Sequence, residues 1–178
     1  MSGFGGLITT IIGAIIGAVL NEMYKRHRDA VAASAAIAGE LASYRGAFES
    51  LKVSLPVLIG RAEKGEPLNI PEQAPAKDTA YDAYVDKIGL LGPYLAEDIA
   101  RVYGYIRGFR SALIPISGEK GAAAPEYMEA SLRVADMFAQ GAFKDSDSLV
   151  PALRKRARQT FIGHIGAMFP ASWKFWTH

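Results

Sequence analysis

Residues 37–58 read IAGELASYRGAFESLKVSLPVL and carry Ile37, Leu41, Tyr44, Phe48, Leu51, Leu55 and Leu58. The intervals run 4-3-4-3-4-3, which places all seven side chains on one stripe of an α-helix. Three heptads of this kind make a seam that other helices must cover. No part of the chain sustains period-two alternation, so the spacing predicts an all-α fold. The helix extends outward from the seam in both directions. On its N-terminal side Ala30–Ala38 is rich in alanine and permits close helix contact, and no breaker lies between Leu20 and Ala30. On its C-terminal side Pro56 is expected to kink the helix near Lys52–Leu55, and Gly65 to stop it after Lys64.

Further toward the N-terminus, Phe4–Leu20 is FGGLITTIIGAIIGAVL, with no charged residue and only Thr9 and Thr10 polar. Seventeen helical residues rise about 25 Å, close to the lower limit for a hydrocarbon core of about 30 Å. No basic region precedes the run, which argues against a cleaved signal peptide. The run is apolar on every face, which argues against a helix wrapped by a domain of this size. The expectation is a single-pass transmembrane helix in the inner (cytoplasmic) membrane. Lys25, Arg26 and Arg28 follow it, so the positive-inside rule places the N-terminus outside and residues 25–178 in the cytoplasm. Thr10, Gly13, Ala14, Gly17 and Ala18 form a small-residue stripe containing a GxxxG, a candidate face for helix association.

Beyond the first helix, residues 66–78, EPLNIPEQAPAKD, hold three prolines and read as a loop. A short helix over Tyr81–Ile88 follows, with Asp78 or Thr79 as its N-cap. Gly92-Pro93 opens the next helix, whose apolar positions Leu95, Ile99, Val102, Ile106, Phe109 and Leu113 repeat the spacing of the first seam. The two seams are expected to pack as an antiparallel pair, with Phe48 and Phe109 buried between them. Pro125 starts a further helix, ending near Gly141. Asp147 or Ser148 caps a last one, running from Leu149 to about Phe169.

Charge is uneven. From Ser148 onward there is no Asp or Glu, whereas Arg154, Lys155, Arg156, Arg158 and Lys174 are basic. An aromatic tail with Trp173, Phe175 and Trp176 follows. A basic amphipathic helix with terminal aromatics is a candidate contact for a membrane surface or a partner. It equally suits the closing helix of the bundle. The domain plan is therefore an anchor over 1–24, a helical bundle over 25–148 and a basic helix with aromatic tail over 149–178.

At 178 residues the chain is one domain, and half of its residues are hydrophobic, which excludes a disordered chain. Mean hydropathy is +0.10, with the excess at the N-terminus. The absence of Cys excludes a disulfide scaffold, a thiolate metal site and a Cys nucleophile. His27, His164 and His178 have no metal-ligand spacing, and neither HExxH nor GxSxG occurs. Two glycines at Gly60 and Gly65 lack the Lys-Ser/Thr of a P-loop. Asp78, Asp82 and Asp86 share a helix face that reads as solvated, as do Glu40 and Glu49. RKRAR at 154–158 is too short for a nucleic-acid footprint. Neither catalytic residues nor a cofactor or metal is expected.

Residues 81–103, YDAYVDKIGLLGPYLAEDIARVY, together with an N-terminal anchor and a long helix, resemble a pattern in small bacterial and prophage single-pass membrane proteins of unassigned function. The resemblance centres on KIGLLG-P. It implies an architecture and a bacterial or phage origin, and no activity. The expected function is a membrane-anchored, non-enzymatic scaffold or accessory subunit that joins a membrane complex or self-associates. A phage-type pore former is the alternative. The expected partners are membrane lipid and other subunits or a second copy, and not nucleic acid.

Overall fold

A computed structural model describes residues 3–68, 70, 77–117 and 125–168, with only the backbone for 3–9, 125 and 165–168. Every regular element among them is helical. The order is α1 (Gly3–Glu63), α2 (Thr79–Tyr84), a 3-10 segment (Val85–Leu91), α3 (Pro93–Leu113), a short 3-10 turn (Ile114–Ile116), α4 (Pro125–Ala157) and α5 (Phe161–Met168). Helix α1 runs 61 residues without interruption, through Pro56. It ends where expected: Gly65 adopts φ +69°, and its N–H and that of Lys64 close on the carbonyls of Ala62 and Arg61. A left-handed glycine after the last turn satisfies carbonyls the helix leaves open.

The seam of α1 is buried as its spacing demands. Ile37, Leu41, Phe48 and Leu55 lie in the core, with Tyr44, Leu51 and Leu58 packed at its margin. Ala30 and Ala33 ahead of it are buried as well, and Ser34 satisfies its hydroxyl by donating to the Ala30 carbonyl at 2.8 Å.

The pairing of helices differs from the expected one. The most extensive contacts are of α4 with α1 and of α4 with α3, whereas α1 and α3 meet mainly through long side chains. Paired residues fix the directions. Along α1 and α4, Glu63 meets Arg133, Lys52 lies on Phe143, Arg45 meets Asp147, and His27 faces Gln159. Along α3 and α4, Arg101 meets Asp145, Tyr105 covers Gly141, and Phe138 covers Gly108. Helix α4 is thus antiparallel to both others, and α1 and α3 are parallel to each other. Residues 79–91 make this possible by returning along α1: Ala80 bonds Glu40, and Lys87 pairs with Asp29. Phe109 is only half-buried, because α3 presents that position at the edge of its contact with α4.

Helix α4 also corrects the expected breaks. It continues through Gly141 and Pro151 to Ala157, so no new helix is capped at Asp147 or Ser148. Gly141 is a packing position, with the Tyr105 ring 3.1 Å from where its Cβ would stand. Pro151 costs a helix interior about 3 kcal/mol. The neighbouring Leu149, Val150 and Leu153 are buried and offset that cost. The true interruption falls at Arg158–Thr160, ahead of α5.

The membrane assignment is overturned. Among the described residues no helix is long and apolar enough to cross a membrane. The apolar run of α1 closes at Leu20. The next turns of α1 carry Asn21, Glu22, Lys25, Arg26 and Arg28. A single-pass inner-membrane protein with its N-terminus outside is therefore not what these helices form.

Two substitutions separate core packing from helix propensity. Leu132→Ala, at a fully buried site in α4, should lower unfolding free energy by about 2–5 kcal/mol. Gly46→Ala, exposed and with nothing within 4 Å of the added Cβ, should raise it by up to about 1 kcal/mol. Gly108→Ala should lose that gain, because its Cβ would stand 2.8 Å from the Phe138 ring. Urea unfolding followed by circular dichroism measures all three.

Candidate functional site

Helix α1 outruns its cover. Helix α4 ends opposite His27, and α5 reaches back over Tyr24 and His27 through Phe161, in ring contacts of 5.4 and 5.6 Å. N-terminal to that point α1 is an arm. Ile11, Ile12, Ile15, Ile16, Val19 and Leu20 are 47–59% exposed. At about 100° per residue these six sweep one half of the helix surface. The other half is formed by Thr10, Gly13, Ala14, Gly17 and Ala18, also exposed, with open space around both glycines. One face is thus a ridge of branched aliphatics and the opposite face a smooth channel of small residues.

The base of the arm gathers the two basic clusters of the sequence. Lys25, Arg26 and Arg28 are exposed there, Arg26 donating to Glu22 at 2.9 Å and Arg28 lying 3.7 Å from Asp29. From the end of α4, Arg156 turns inward and is only 8% exposed. Its Nη1 donates to the Gln159 side-chain oxygen at 2.8 Å. Arg154, Lys155 and Arg158 point to solvent and line a separate shallow recess with Pro151 and Gln159. Trp173, Phe175 and Trp176 lie outside the described residues.

Arg26 and Arg156 meet across a cavity of about 260 Å³, walled further by Met23, His27, Leu90 and His164. His27 is 7% exposed. Its Nε2 sits 3.1 Å from the Gln159 carbonyl; a carbonyl only accepts, so Nε2–H donates. Nδ1 is buried with no hydrogen-bond partner. The His164 ring stacks near it, with centroids 5.3 Å apart. Burial holds the His164 pKa below its usual value, and the charges of Arg156 and His27 push the same way. Sequence reasoning missed His27, although a signal was present. Positions 27, 30, 34, 37 and 41 continue the seam backward at 3-4-3-4, which marks His27 as inward-facing.

A second polar cluster explains the fold and not an activity. Glu40, expected to be solvated, accepts from the N–H groups of Ala80 and Tyr81 at 3.0 and 3.3 Å and from the Tyr103 hydroxyl. It caps α2 from another element, where Asp78 makes no side-chain cap. Burial, followed by the Glu40 contact, raises the Tyr103 phenol far above its usual range, so it remains a donor. Asp78, expected on a solvated acidic face, is 4% exposed and receives Arg110 at 2.6 Å and Arg107 at 3.0 Å. Asp82 and Asp86 are exposed. Glu49 is exposed too, 3.6 Å from Arg45. A recess of about 620 Å³ between α1 and α4 is open and lined by both charge signs, among them Lys52, Asp136 and Lys144. Among the described residues no group of three or more His, Asp or Glu side chains is placed to hold a metal ion.

No protein-family model, curated protein or solved structure matches this chain.

Asp78→Asn removes the carboxylate shared by two guanidiniums and should cost about 3 kcal/mol of stability. Asp82→Ala should stay within about 0.5 kcal/mol. His164 supplies a pH dependence. Its folded pKa is depressed, so the unfolded chain binds the proton more readily. Stability from this group is complete above about 6.5 and is lost as pH falls through the depressed value. Unfolding free energies at pH 7.5 and about 5.5 should therefore differ less in His164→Phe than in the natural chain.

Proposed function

We propose that the protein is a non-enzymatic scaffold or accessory subunit that works through helix association of its N-terminal arm. One observation carries this reading. An α-helical arm is rooted in a packed bundle, and its side chains from Ile11 to Leu20 are apolar and exposed all round. Contiguous exposed apolar surface of this kind is a docking surface in proteins that keep it. The partner favoured by shape is a second copy. The ridge of Ile11, Ile15 and Val19 on one arm complements the channel of Gly13 and Gly17 on another, and small residues let the two backbones come close. The bundle supplies the rigid base, and its charged surface keeps association confined to the arm.

Sedimentation velocity on the full chain tests this. The expected result is an oligomer that dissociates when Ile12 and Ile16 are both replaced by Asp, with helical content outside the arm unchanged. Gly13→Leu with Gly17→Leu should weaken it through the channel. A natural chain that stays monomeric at micromolar concentration would reject self-association. If it then sediments with phosphatidylcholine vesicles, the arm serves a lipid surface instead.

A further inference from the structure

We propose that the cavity at the base of the arm binds a phosphate-type oxyanion, held by Arg156 and Arg26 with the imidazoles of His27 and His164. This stands apart from the reading of the arm, since it concerns a different surface and needs no oligomer.

Three features of the cavity point to an anion. Arg156 is more than nine-tenths buried, and its guanidinium donates to the neutral Gln159 side chain, with no carboxylate beside it among the described residues. A guanidinium withdrawn from water without a carboxylate is costly, and a bound oxyanion supplies the missing charge. His27 is more than nine-tenths buried, with Nδ1 unpartnered and the opposite nitrogen committed to the Gln159 carbonyl. The wall is also one-signed. It presents Arg26 from α1, Arg156 from α4 and His164 from α5, while the 3-10 segment contributes only apolar Leu90.

Glu22 is exposed and occupied with Arg26. Asp29 is engaged with Lys87 at 3.2 Å. Neither offers Arg156 a partner. A planar guanidinium matches two oxygens of a tetrahedral oxyanion, and a flanking imidazole N–H matches a third. Anion and proton are therefore taken up together. The anion offsets the burial and the Arg156 charge that keep His164 deprotonated.

Isothermal titration calorimetry of the full chain with inorganic phosphate and with sulfate is the direct test, at constant ionic strength. Saturable binding is expected. Sulfate keeps its charge across the range, so tighter sulfate binding at about pH 6 than at pH 7.5 isolates the imidazoles. Arg156→Met should weaken phosphate binding about tenfold or more, and His27→Gln about threefold or more. Arg154→Gln with Lys155→Gln, on the exposed recess, should leave it unchanged. Where Arg156→Met does not fold, phosphate-induced shifts of the His27 and His164 ring resonances in the natural chain decide the question. Vesicles of phosphatidylcholine with one-fifth phosphatidic acid identify the source. Binding of free phosphate assigns a soluble anion, and response to these vesicles alone assigns a lipid headgroup. Absence of heat and of imidazole shifts with both probes would overturn the site, as would equal affinity in Arg156→Met.

Discussion

The close approach of α4 to α1 is the contact on which the remainder of the molecule depends. A helix of 61 residues cannot bury its own stripe, and the connection that follows it is too short and too polar to do so. The antiparallel register sets the leucines and valine near the end of α4 against the alanine-rich part of α1. Large side chains on one helix fill the space that small ones leave on the other, which permits native packing density. Helix α3 then needs only to cover the other side of α4. It does so with the reciprocal ring-on-glycine contacts of Phe138 with Gly108 and Tyr105 with Gly141.

Polar groups tie α3 to α1, where backbone contact is sparse. Tyr103 reaches Glu40, and Arg110 reaches both Tyr44 and Asp78. The returning segment is fixed by the same residues, since Glu40 holds the start of α2. Parallel placement of α1 and α3 is thus a product of the connection between them. A chain that must travel back along the first helix before starting the third has no other way to present its second seam.

The seam from Ile37 to Leu58 was legible because seven residues agree on one period, and a local signal of that length is not easily overridden. Helix α4 was not legible as one element. Gly141 and Pro151 are strong local punctuation, but their environment is decided by Tyr105 and by the buried residues around Leu149, which sequence spacing does not display. Glu40 and Asp78 were misjudged for a related reason. Each is polar at a position that local pattern assigns to solvent, and each is buried or bonded by a segment about 30 to 70 residues away. The apolar character of the arm was plain from composition. The inward turn of His27 was encoded in the seam, yet a histidine flanked by Lys25, Arg26 and Arg28 reads first as part of a charged surface.

The order of the helices has a consequence during synthesis. A ribosome makes α1 first, but the helix that covers its seam is completed only at Ala157, over 90 residues later. At about 5–20 residues per second, that interval is roughly 5–20 s. For that time the nascent chain displays a long amphipathic helix and an apolar arm with nothing laid against either. Chaperone capture and early encounter with a neighbouring nascent chain both fall within this window. The seam of α1 therefore waits for α4 to emerge before the bundle can close.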